Sequence, residues 1–225
     1  MFYEQLKQAT EVDRQRLVNS EIIQRCMARN VTLDEYIDYL TQAYHHVKFT
    51  VPLLMAVGAN LPEKYEWLRE AVAEYIEEEL GHQEWVLNDI AACGGDKEAV
   101  RRSQAAPETE LMVAYAWDTV NRGDPIGFFG MVHVLEGTSV NLADYAADQI
   151  QATLNLPESA FSYLRSHGSI DVSHIQHLEQ LMNRFTDPAE QQLLIYKTKM
   201  FYKLYKGVFD SVLRSSETSA MQSAA

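Results

Sequence analysis

The sequence predicts an all-α protein, a single domain of about eight helices. Several of them exceed the roughly 20 residues that bound most globular helices. Three observations predict it. Glycine and proline number ten and six in 225 residues, sparse against average usage of about 7% and 5%, so few turns punctuate the chain. Apolar residues recur at spacings of three and four over long stretches, the signature of one helical face. Nowhere does period-two alternation bounded by turn residues mark a strand, and no internal repeat or Gly/Ser-rich linker divides the chain.

Each element has its own signals. Thr32 and Glu35 form a Thr-x-x-Glu capping box, and the helix after it, over 33–58, carries Tyr36, Leu40, Tyr44, Val47, Val51 and Leu54 on one stripe. Pro62 suits the first turn of the next helix, which Gly94-Gly95 closes. Pro107 opens a shorter helix that ends near Asn121-Arg122-Gly123. Asp124-Pro125 reads as N-cap and first position of another, running to about Gln151. Pro157 starts the next, and Asp187-Pro188 caps the last, which runs to about Arg214. The domain therefore spans 1–214, and the small, polar tail 215–225 is expected to be frayed or disordered.

Composition excludes several functions. Thirty-two acidic against nineteen basic residues leave a formal charge of −13 and a pI near 4.9. A phosphate-reading surface needs clustered Lys and Arg, so no nucleic-acid partner is expected. No apolar run reaches the ~18 residues of a bilayer span, and Met1-Phe2-Tyr3-Glu4-Gln5 lacks the regions of a secretion signal. Two cysteines, Cys26 and Cys93, supply neither a disulfide framework nor a thiolate zinc site. A reducing cytoplasm is the expected location.

The chemistry enters where polar residues interrupt apolar stripes. The third helix gives Tyr65, Leu68, Val72, Tyr75, Glu79, His82, Val86 and Ile90 in steps of three and four, which puts Glu79 and His82 in core slots. The fifth gives Phe129, Val132, Glu136, Val140, Ala143, Ala147 and Ile150, with Glu136 at its middle. A third stripe runs Leu164, His167, Asp171, His174, Leu178, Leu181, Phe185, and it stays in phase through Gly168-Ser169 as one continuous helix would. A buried ionised carboxylate costs several kcal/mol unless paired, protonated or metal-bound. No Lys or Arg sits on these stripes. Three carboxylates and three neutral imidazoles suit about two divalent first-row cations, iron or manganese. Glu79-x-x-His82 and Asp171-x-x-His174 share the i, i+3 spacing that lets two side chains on one helix reach one ion. The remaining histidines, His45, His46, His133 and His177, are read as structural or exposed. Cys93, beside Gly94-Gly95, has no activating partner in sequence.

With those residues in place, the order of elements resembles the heme-oxygenase-like helical fold, whose members include TenA thiaminase-type proteins, pyrroloquinoline-quinone synthase and heme oxygenases. The resemblance covers roughly residues 22–213. Glu79-x-x-His82, then Glu136, then His167-x-x-x-Asp171-x-x-His174 resembles its dinuclear-iron branch of oxidases and oxygenases. That branch includes a fatty-acid decarboxylase and a p-aminobenzoate synthase. Members that take their first carboxylate seven residues before the histidine would have it at Tyr75, so the resemblance passes that role to Glu79. A thiaminase-like hydrolase would want a cysteine on the helix carrying Glu136, and that helix has none. Heme oxygenase would want an N-terminal proximal histidine, and none precedes His45. A ferritin-like bundle would want a second lone core Glu and a second Glu-x-x-His, whereas the helix over 33–58 offers only Glu35.

The resemblance implies a two-iron cofactor, with manganese possible, on Glu79, His82, Glu136, His167, Asp171 and His174. Glu136, on a separate helix, is the expected bridge. Dioxygen and a small molecule would be the substrates, in a pocket for which Tyr44, Tyr75, Phe128 and Tyr163 are candidates. Two alternatives stay open: a non-catalytic metal-binding scaffold, and a metal-free TenA- or quinone-synthase-like enzyme using these groups as acids and bases. Proteins of the superfamily are often dimers, so a homodimer is a further expectation.

Overall fold

The computed structural model describes the backbone of residues 1–223, and the side chains of all of these except Asn141, 167–174 and 214–223. Among the described residues the regular structure is entirely helical. In chain order the helices are α1 (Phe2–Val18), α2 (Glu21–Met27), α3 (Leu33–Val47), α4 (Thr50–Asn60), α5 (Glu66–Glu79), α6 (His82–Ala92), α7 (Lys97–Arg102), α8 (Pro107–Asn121), α9 (Phe129–Leu154), α10 (Ser162–Met182) and α11 (Pro188–Ser223), with 3-10 turns leading into α5, α9 and α10.

That is eleven helices rather than about eight, and the physical reasons lie at single residues. The stretch 33–58 breaks at Lys48-Phe49 because Pro52 lacks an N–H for the Lys48 carbonyl and its ring would collide with that carbonyl. The chain restarts at Phe49, whose carbonyl accepts from the Leu53 amide at 2.9 Å. The stretch 62–93 breaks at Leu80-Gly81, where Gly81 takes φ +92°, a left-handed conformation that ends α5 and opens α6. Short α2 and α7 complete the difference. Asp96 caps α7, accepting from the amides of Glu98 and Ala99 at 3.0 Å.

Other signals appear as expected. The Thr32 hydroxyl accepts from the Glu35 amide at 3.2 Å, and the Glu35 carboxylate accepts from the Thr32 amide at 2.8 Å. Pro107 sits in the first turn of α8, and Asp124 caps the turn before α9. The α10 backbone runs unbroken through Gly168-Ser169.

The long α9 and α11 form the spine, packed on each other. α10 lies along α9, α1 crosses α11, and α3 rests between α6, α8 and α11. Gly130 allows the spine its closest approach, since a Cβ there would stand 2.8 Å from the Thr198 backbone nitrogen. Phe129, Phe161, Phe185, Phe201, Tyr36 and Tyr202 are fully buried and supply most of the aromatic core. One contact fixes α10 to α6. Fully buried Asp89 accepts from the Tyr163 amide at 2.8 Å, the Ser162 amide at 3.1 Å and the Ser162 hydroxyl, so a side chain of α6 caps the first turn of α10. No described helix is long and apolar enough to cross a membrane.

Candidate functional site

A cavity of about 160 Å³ opens between α2, α3, α9 and the start of α10, with α11 behind it. Its wall is mostly aliphatic and aromatic, and the polar exceptions are concentrated. Glu79 from the end of α5 and Glu136 from the middle of α9 both line it, with Tyr75. Glu79 and His82 reach each other across the Leu80-Gly81 turn, His82 Nδ1 standing 3.0 Å from Glu79 Oε2. The pair therefore survives the break between α5 and α6, because the glycine turn returns the two side chains to one side. Trp85 lies against the His82 ring with centroids 4.0 Å apart, which limits that ring's rotation.

Glu136 is buried, 8% exposed. Burial first, and then the charge of Glu136 with Glu78 and Glu79 behind it, hold the Tyr75 hydroxyl well above its ordinary range. Tyr3 of α1 is raised by burial and by the same Glu136 charge. Both phenols thus remain protonated next to a carboxylate at any physiological pH. Among the described lining residues there is no Lys or Arg. The third glutamate of the wall, Glu35, is already matched by Arg25 at 2.7 Å.

His167, Asp171 and His174 lie outside the described residues, so their side-chain positions form no part of this geometry. Farther along the same helix, Ile175 packs on α9, where a Cβ on Gly137 would meet Ile175 Cδ1 at 4.0 Å. Among the described residues no three His, Cys, Asp or Glu side chains gather as a metal-binding group.

Of the four pocket candidates, Tyr75, Phe128 and Tyr163 line the cavity. Tyr44 is buried outside that lining, against His45 and under the Lys48 ammonium. The cavity face of α3 and α4 is Tyr36, Tyr39, Val47, Thr50 and Leu54, with His46 beside it. Tyr44 follows Ala43, the residue that continues this stripe, and one residue is about 100° of helix rotation.

His46, Cys26, Tyr205 and Phe209 were missed by the sequence reading and also line the cavity. The available signal was the second three-four stripe through Tyr39 and His46. The other histidines are structural. His45 bonds Ser103 Oγ at 2.9 Å and Lys48 Nζ at 3.0 Å, and burial lowers its pKa to about 4. His133 is held edge-on by Tyr3 and Tyr202. His177 is half-exposed beside Glu74.

The fold is shared with several solved structures. A domain of unknown function with a heme oxygenase-like fold, from Shewanella denitrificans, is 25% identical, with a TM-score of 0.86 over 100% of this chain and 96% of that one. A TenA homologue from Pseudomonas syringae is 16% identical, with a TM-score of 0.80 over 95% and 93%. Heme oxygenase-1 from the cyanobacterium Synechocystis, in complex with heme, is 10% identical, with a TM-score of 0.74 over 100% and 99%. No curated protein matches the chain. The sequence pattern of a family described as iron-containing redox enzymes matches residues 37–206, three quarters of the chain and all six stripe residues included, and the protein belongs to that family.

Proposed function

We propose that the protein is an iron-dependent oxidase or oxygenase. It would hold two iron ions on Glu79, His82, Glu136, His167, Asp171 and His174, and act on a small molecule in the adjoining cavity. The observation that carries this reading is the Glu79–His82 contact at 3.0 Å, with Glu79 lining the same cavity as buried Glu136. Two carboxylates and an imidazole from three helices are a donor set that suits iron, with manganese the alternative. A bound metal would also offset the cost of keeping those carboxylates dry.

Iron bound there would supply the electron transfer needed to use dioxygen. The chain's own residues supply the rest. Trp85 keeps the His82 ring in one orientation, a role that packing around a ligand commonly serves. Tyr75 keeps its proton beside Glu136 and is placed to hold that carboxylate or donate to a substrate oxygen. Phe128, Leu135, Leu142 and Tyr163 make the wall of the chamber apolar.

A thiaminase-like hydrolase working through a cysteine is the poorer fit. Cys26 is the cysteine in the described lining, and burial pushes its thiol up to about 11, leaving very little thiolate at neutral pH.

Anaerobic reconstitution with ferrous salt, followed by metal analysis, tests the proposal. Two iron ions per chain are expected, and Glu136→Ala should lose most of them. Uptake of zinc with no iron would overturn the redox reading. Oxygen consumption by the ferrous form separates an enzyme from a scaffold, which would show none beyond slow autoxidation.

A further inference from the structure

Most hydroxyls of the cavity wall are matched within the protein. Tyr36 donates to the Ala160 carbonyl at 2.7 Å, Thr138 to the Val134 carbonyl at 2.6 Å and Ser139 to the Glu136 carbonyl at 2.9 Å. Tyr39 lines the same cavity, and among the described residues its hydroxyl has no hydrogen-bond partner. Burial first, and then Tyr205 and Cys26, hold that hydroxyl well above the ordinary range of a phenol. Both of these neighbours line the cavity, from α11 and α2, so the hydroxyl is on the cavity side of its ring. It keeps its proton and is a donor. A donor shielded from bulk water costs free energy that an acceptor restores.

The ring that carries this hydroxyl is held in place. It stacks on Tyr36 with centroids 6.5 Å apart and planes at 16°, and on Phe209 at 5.7 Å and 22°. Tyr36 stacks in turn on Phe161 at 5.5 Å, and Tyr205 meets Phe209 edge-on at 4.9 Å. With its faces engaged in these stacks, Tyr39 offers the cavity its edge and its hydroxyl. An aromatic edge is the positive part of the ring quadrupole and prefers the negative face of another ring. Size sets the other bound. The cavity holds about 160 Å³, and an apolar cavity of about 150 Å³ takes one benzene. One six-membered ring with a small substituent fits that space, and two fused rings overfill it.

We infer that the cavity binds a single aromatic ring bearing an oxygen acceptor, and that the Tyr39 hydroxyl donates to that oxygen and so selects and orients the ligand. This rests on reading the cavity as the substrate chamber of the proposed enzyme, but the ring wall and the hydroxyl belong to the protein and do not require metal.

The test is calorimetry on chelator-treated protein and on the same preparation after ferrous loading. Acetophenone supplies the ring and the acceptor. α-Methylstyrene has its shape with a methylene in place of the oxygen, cyclohexyl methyl ketone keeps the acceptor on a saturated ring, and acetylnaphthalene adds a second ring. In the metal-free protein Tyr39→Phe should weaken acetophenone about threefold to tenfold, the worth of one neutral hydrogen bond, and leave α-methylstyrene unchanged. Wild type should hold acetophenone about threefold more tightly than cyclohexyl methyl ketone, the worth of an edge-to-face contact. Acetylnaphthalene should bind at least about tenfold more weakly than acetophenone, the cost of overpacking. The infrared carbonyl stretch of acetophenone bound to wild type should lie at its lower, alcohol-like frequency, and in Tyr39→Phe at its hexane-like one. A hexane-like frequency in wild type overturns the inference even if the variant does not fold. Equal weakening of acetophenone and α-methylstyrene by Tyr39→Phe, no weakening of either, or acetylnaphthalene binding as tightly as acetophenone also overturns it. If iron fails to load while the Tyr39 effect holds, the metal reading falls and the ring site is supported. If iron loads and Tyr39→Phe changes nothing, the ring site falls and the metal reading is supported.

Discussion

At the scale of single residues, burial without a partner is what gives His133 its behaviour. The ring sits between the edges of Tyr3 and Tyr202, its Nδ1 has no hydrogen-bond partner among the described residues, and burial with the Lys7 charge nearby lowers its pKa from 6.5 to about 4. The folded ring is therefore neutral. Below pH 6.5 the unfolded chain takes up a proton that the fold refuses, so stability is full above that value and falls until about pH 4, where the folded ring also titrates. The whole effect is at most about 3 kcal/mol, and about 2 kcal/mol of it is lost by pH 5. Urea unfolding at pH 7 and pH 5 should show His133→Phe losing about 2 kcal/mol less than wild type across that interval. An equal loss in both proteins would mean that His45, whose pKa is also lowered to about 4, carries the acid sensitivity instead.

At the scale of elements, the join between α5 and α6 links fold to site. Gly81 has φ +92° and nothing within 4 Å of where a Cβ would be, so Gly81→Ala meets only a backbone penalty of about 1 kcal/mol. Urea melts should show that loss. Iron uptake should fall by more, because any rotation at the turn moves His82 away from Glu79. Unchanged uptake with the stability loss intact would mean that the turn does not set the pair. This join also marks how far the sequence could be read. The i, i+3 spacing identified Glu79 and His82 as a pair, and the pair is there at 3.0 Å, but the continuous helix behind that reading is absent. Spacing reports which residues share a side, whereas a single left-handed glycine or the ring of Pro52 decides whether the backbone between them is one helix or two. Capping signals at Thr32 and Pro107 were legible because they act within one turn. The cavity-facing roles of Cys26 and Phe209 were not, because they depend on how α2 and α11 meet α9, and no local pattern encodes that meeting.

At the scale of the whole molecule, acidic groups from separate helices face one mostly apolar chamber, so the proposed metal binding would act on global stability. In the metal-free state Glu136 is a buried carboxylate beside protonated Tyr75, and its desolvation is a cost to the fold. A cation held as proposed between α5, α6 and α9 would offset that cost and stabilise the folded state alone. At a free ferrous concentration about one hundred times the dissociation constant the gain is about 2.7 kcal/mol. A domain of this length shifts its melting temperature by about 2–4 °C per kcal/mol, so anaerobic thermal melts should rise between about 5 and 10 °C with ferrous iron. Glu136→Gln separates the two halves of the account, because the amide keeps the shape but not the charge. Its metal-free form should melt at or above the wild-type temperature, and added iron should leave it almost unmoved. A metal-free Glu136→Gln protein that melts well below wild type would instead make the carboxylate a structural hydrogen-bonding group, and an iron-induced rise equal to wild type would place the metal elsewhere.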